Sequence, residues 1–88
     1  MLKKVSLRKL LRRLQTAENK YRNYATTVVL GHENNEICEI VEELDRVSHN
    51  ILVVMMNSCL EKCGEHLVSA YESLVERLRN YSISMAFA

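Results

Sequence analysis

Proline and tryptophan are absent from the 88 residues, glycine occurs twice and phenylalanine once. Without proline, no helix in the chain carries a fixed internal break. The two glycines, Gly31 and Gly64, stand 33 positions apart, so the sequence holds no glycine-rich phosphate loop. The longest wholly apolar run, Ile51 to Met56, is far shorter than the roughly 20 residues that cross a bilayer. The start of the chain, Met1-Leu2-Lys3-Lys4-Val5, lacks the apolar stretch and small-residue cleavage site of a secretory signal, so a cytoplasmic setting is expected. Cysteine is scarce too. Cys38, Cys59 and Cys63 are odd in number, and Cys59 and Cys63 lie one helical turn apart, a spacing unsuited to a disulfide. Free thiols are expected.

What the sequence has is apolar periodicity. Hydrophobic residues make up 48% and charged residues 26%, a balance that argues for an ordered domain and against disorder. Leu7, Leu10, Leu11, Leu14, Ala17, Tyr21, Tyr24, Ala25 and Val28 recur at steps of three and four, the stripe of an amphipathic helix. Ser6 is a suitable N-cap, and Gly31 suits a left-handed C-terminal stop. A second stripe runs Ile37, Ile40, Val41, Leu44, Val47, Ile51, Val54 and Met55, with Asn34 or Asn35 as its cap. A third runs Leu60, Leu67, Tyr71, Leu74, Val75, Leu78 and Tyr81. The heptad track of the second stripe would next fall on Ser58, out of phase with the third, and Ser58 with Glu61 matches a capping box. A turn or kink between Asn57 and Gly64 is therefore expected.

The expected architecture is all-α: an antiparallel three-helix bundle in a single domain over 1–88. Its helices span about 6–30, 35–56 and 58–81, and the uncharged tail 82–88 lies outside regular phase. The alternative is a long helical hairpin, its second and third helices fused, that dimerises into a four-helix bundle.

Net charge is only +1, yet the charges are segregated. Lys3, Lys4, Arg8, Lys9, Arg12, Arg13, Lys20 and Arg22 face only Glu18 in the first 22 residues. Glu33, Glu36, Glu39, Glu42, Glu43 and Asp45 then follow with no cation between them. Lys4 with Arg8, Arg8 with Arg12 and Lys9 with Arg13 are like-charge pairs one turn apart, and cations at a helix N-terminus oppose its dipole. A merely solvated face tolerates this arrangement, but a local conflict of this kind also marks association. Antiparallel packing sets the arginines far from the acidic start of the second helix, so neutralisation within the chain is expected to be poor. The segment Ile51–Met56 is apolar around its whole circumference and calls for a neighbour.

These features point to a non-catalytic interaction module, an adaptor, small chaperone or regulatory subunit, that self-associates, first as a dimer, or docks on another protein. Its interface is expected to use Ile51, Val53, Val54, Met55 and Met56 for apolar burial. Arg8, Arg12 and Arg13 of one copy would meet Glu39, Glu42, Glu43 and Asp45 of a neighbour. The alternative is a nucleic-acid-binding bundle whose Arg8, Lys9, Arg12, Arg13 and Lys20 touch phosphates. A membrane-surface role lacks aromatic anchors. Cys59, Cys63 and His66 project from one side of a helix and are the candidate metal ligands, in a spacing that matches no compact zinc site. Cys38, Glu42, Asp45 and His49 form a second polar stripe without the Glu-x-x-His repeat of carboxylate-bridged bundles. Cys63 and His66 on a helix surface supply neither a cleft nor an oxyanion hole, so no enzyme and no cofactor is expected.

Overall fold

A computed structural model describes residues 6–57 and 60–86. It is all-α: helices α1 (Leu7–Asn23), α2 (Ala25–Leu30), α3 (Asn35–Met56) and α4 (Leu60–Ala86) follow in order, with no strand among the described residues. Both expected caps form. The Ser6 hydroxyl accepts from the Lys9 N–H at 3.3 Å, and Asn34 Oδ1 accepts from the N–H groups of Glu36 and Ile37 at 2.9 and 3.3 Å.

The first helix departs from the expected 6–30 span. At Tyr24 the backbone opens to φ −97°, ψ 11°, and its N–H bonds the Tyr21 carbonyl at 3.0 Å, a tighter three-residue step that separates α1 from α2. The β-branched run Thr26-Thr27-Val28-Val29 that follows is a poor helix former, and its Thr27 is drawn into the interior. Gly31 is not left-handed: at φ −96°, ψ 13° it closes α2 by donating its N–H to the Thr27 carbonyl at 2.8 Å. The turn beyond it is tied on both sides. His32 Nδ1 meets the Val29 carbonyl at 3.0 Å, and Cys38 Sγ donates to the His32 carbonyl at 3.0 Å.

α3 ends at Met56, Asn57 is a turn residue, and α4 begins at Leu60. The proposed cap Ser58 lies outside the described residues. Gly64 sits buried inside α4 and breaks nothing. α4 also outruns its expected end near 81, continuing to Ala86, because Ser, Ile, Met and Ala include no stop signal.

α4 is the common partner, packed along both α1 and α3. Arg13 of α1 reaches Glu65 and Glu72 of α4, and Tyr24 lies within electrostatic reach of Arg79, so α1 and α4 run parallel. Tyr21 senses Asp45, and Val28 shares a recess with Ile37, Cys38 and Val41, so α3 runs antiparallel to both. These contacts accord with an antiparallel three-helix bundle. Its core is Leu10 and Ala17 of α1, Ile37, Ile40, Leu44, Val47 and Ile51 of α3, and Val68, Tyr71, Leu74, Val75 and Leu78 of α4.

Candidate interaction surface

The basic side of α1 divides into two populations. Arg8, Lys9, Arg12, Lys20 and Arg22 are exposed. Arg13 is half-buried against α4 and fully engaged. Its Nη1 donates to both Glu65 carboxylate oxygens at 2.9 and 3.0 Å, its Nη2 and Nε donate to Glu72 at 2.6 and 3.2 Å, and Nη2 also reaches Ser69 Oγ at 3.2 Å. The hydrogen bonds it donates to Glu72 and then Glu65 hold the guanidinium above its ordinary pKa range. Neutralisation within the chain therefore does occur, with α4 as the donor of acid rather than the start of α3. Arg13 is an α1–α4 clamp, so it is not available to a partner.

This clamp should matter to stability. Replacing Arg13 by alanine strands two carboxylates on one flank of α4, and the expected loss is about 1 kcal/mol, the top of the range for solvent-screened charge pairs, reached because the geometry is forked. Arg13→Lys should recover only a fraction, since an ammonium cannot engage both carboxylates in a plane. Thermal unfolding followed by circular dichroism checks both; equal melting temperatures for all three proteins would remove the clamp from the stability account.

The acidic segment divides in the same way. Glu43 is half-buried and paired with Arg46 at 2.6 Å, whereas Glu39, Glu42 and Asp45 are exposed. Of the apolar candidates, Ile51 is only 2% exposed and belongs to the core, which corrects its expected place at an interface. It falls on the buried stripe of α3, in register with Leu44 and Val47. Val54 is half-buried against the core. Val53, Met55 and Met56 are open to solvent, at 42%, 39% and 83% exposure. Leu52, at 57%, joins them; it was missed among the site residues although the all-round apolar run contains it.

Because α1 and α3 are antiparallel, this end of α3 falls at the same end of the bundle as the start of α1, where Leu7 and Leu11 are also more than a third exposed. Leu7, Leu11, Arg8, Arg12 and Gln15 line a shallow recess of about 410 Å³ there. One end of the bundle is thus apolar with an arginine rim. A second recess, of about 290 Å³, lies at the opposite end among Val28, His32, Ile37, Cys38, Val41 and Glu42.

For the metal candidates, Cys59 and the Cys63 side chain lie outside the described residues, and His66 is exposed on α4. Among the described residues, no three His, Cys, Asp or Glu side chains converge on a common point, the Cys38–His49 stripe included. No described helix is long and apolar enough to cross a membrane. Compared with known protein families, with characterised proteins and with solved structures, the chain matches none.

Proposed function

We propose that the chain is a non-catalytic protein–protein interaction module, of the adaptor, small-chaperone or regulatory-subunit kind, that self-associates in a cytoplasmic setting. One observation carries this reading. Leu52, Val53, Met55 and Met56 are exposed at the same end of the bundle as Leu7 and Leu11. Isolated apolar side chains are common on surfaces, but a group of them rimmed by arginine has the composition of an interface. Burying what each still exposes is worth a fraction of the about 1.5–3 kcal/mol of full burial, and the contributions from both partners add against the cost of association. Methionine adds the adaptability of an unbranched chain. The exposed charges on either side, Arg8 and Arg12 against Glu39, Glu42 and Asp45, supply orientation and partner choice.

Size-exclusion chromatography with light scattering tests the reading. The native chain should elute above its 10.2 kDa monomer mass. Replacing Leu52 and Met56 together by glutamate should return it to the monomer with its helicity intact. A strict monomer at high concentration would overturn self-association.

A second reading has its own support. With Arg13 removed from the count, Arg8, Lys9, Arg12 and Lys20 still form an exposed cationic side of α1, suited to phosphates. A salt-dependent mobility shift of labelled RNA or DNA, abolished by Arg8→Glu with Arg12→Glu, would favour it. Arg13 should be left intact in that experiment because its replacement disturbs the fold.

A further inference from the structure

We infer that copies of this chain associate head to tail, the apolar, arginine-rimmed end of one bundle seated on an apolar, acidic end of the next. This rests on the interaction-module reading and names the surface that its partner offers. At the first end Leu7, Leu11, Leu52 and Met56 are exposed together with Arg8, Lys9 and Arg12. The second end lies at the other pole of the 45 Å long axis, where α2 stops, α3 starts and α4 runs out. Val29 and Leu30 are both 69% exposed there, Ile83 is exposed as well, and the recess among Val28, Ile37 and Val41 opens beside them. Each pole is an apolar surface that no described helix covers.

The poles carry opposite charge. Among the described residues, Arg8, Lys9 and Arg12 pair with no carboxylate, and Glu65 on α4 is already held by Arg13. At the other pole Glu33, Glu36 and Glu39 are exposed, and no lysine or arginine occurs between Arg22 and Arg46 or in α4 beyond Arg79. His32, 3.8 Å from Glu33, is the one described group there able to carry positive charge. Arg79 stands near the level of Tyr24, short of this pole, and is paired with Glu76 at 2.7 Å. The helix dipoles add to the same polarity, since α1 and α4 both start at the cationic pole and only α3 starts at the acidic one.

Sign decides how two copies meet. Two cationic poles repel each other and so do two acidic ones, so a symmetric end-to-end dimer is disfavoured either way. Only unlike poles bring apolar surface together with charges that attract. A translation along the long axis sets unlike poles face to face whatever rotation about that axis accompanies it. The arrangement is heterologous and open: every added copy presents a fresh pole of each sign, and the assembly grows as a chain. A cross-section of 21 × 20 Å limits each contact to about 400 Å² per copy, the low end for specific interfaces. Association is therefore weak and rises with concentration.

Variants that block one pole each test it. Leu52→Glu with Met56→Glu closes the cationic pole, and Val29→Lys with Leu30→Lys closes the acidic one; all four positions are exposed, and circular dichroism checks that helicity is kept. In sedimentation velocity the average mass of the native chain should climb with concentration past the dimer. Each variant alone should associate at least about tenfold more weakly. An equimolar mixture of the two should form a dimer and stop there, because each variant has one working pole left. A native chain that halts at the dimer, a Val29–Leu30 variant that associates as the native chain does, or a mixture that remains monomeric overturns head-to-tail association and leaves the interaction-module reading standing. A native chain that is monomeric throughout removes that reading, and this inference with it. Rising salt should also lower the native mass; a salt-insensitive assembly excludes the charged pairing.

Discussion

Truncating Leu78 to alanine should lower stability by about 3–4 kcal/mol, within the range found for fully buried leucines. Leu78 has no exposed surface and sits on α4, the helix that both α1 and α3 pack against. The cavity would therefore open where three helices meet, with neighbours held apart by their own packing and little freedom to collapse into it. An 88-residue domain has on the order of 5–10 kcal/mol to lose, so the variant should melt about 10–25 °C below the native protein. Helix propensity works in the opposite direction, since alanine is the better helix former, so any drop reports lost packing alone. Met56→Ala supplies the contrast. Met56 is 83% exposed in the single chain, and its truncation should leave the melting temperature of the monomer within the small range of surface substitutions. Urea titration read by circular dichroism measures both; a Leu78→Ala midpoint no lower than that of Met56→Ala would show that α4 is not the centre of the core.

The helices and most of this core were legible from the order of residues. Ile37, Ile40, Leu44, Val47 and Ile51 are buried as their period requires, because α3 presents one stripe to one interior. α4 was less legible because it has two partners. Val68 is fully buried yet lies beside the stripe, since a central helix buries a broader arc than a peripheral one. The break at Tyr24 was hidden because Tyr21, Tyr24 and Val28 keep helical spacing across it; only the β-branched run after it hints that the helix is weak there.

The Arg13 clamp was the larger miss. Its partners lie 52 to 59 residues away, and no local period shows a pair that distant. A signal did exist: Glu65, Ser69 and Glu72 repeat at four and three along one flank of the third stripe, and Glu72 has no cation three or four positions away in the sequence. Reading unmatched charge on two helices together would have paired them. The apolar end of α3 was readable as an excess of hydrophobic surface. Which of its residues turn inward was not, because Ile51 differs from Leu52 only in its phase on the helix.

Raising the pH through the tyrosine range should destabilise the fold by up to roughly 2.7 kcal/mol through Tyr71 alone, given about 1.36 kcal/mol per pKa unit. Tyr71 is 6% exposed, and burial pushes its hydroxyl up to about 12, helped by the negative charge of Glu18, by Tyr21 and by Asp45 and opposed by Arg22. In the unfolded chain the same hydroxyl ionises near the ordinary value of about 10. Between those two values the unfolded state binds fewer protons than the folded one, so stability must fall as pH rises. The contribution is complete below about pH 10 and exhausted above about 12. Tyr21 adds to the trend in the same direction, from burial and then Asp45. Lysines also lose protons in this range, so the diagnostic quantity is the difference between the native protein and Tyr71→Phe. Phenylalanine keeps the ring in the core but has no proton to lose, and its melting temperature should decline less steeply through the same interval. Parallel declines for the two proteins would mean that Tyr71 ionises in the folded state as it does in water, and would overturn the account of its burial.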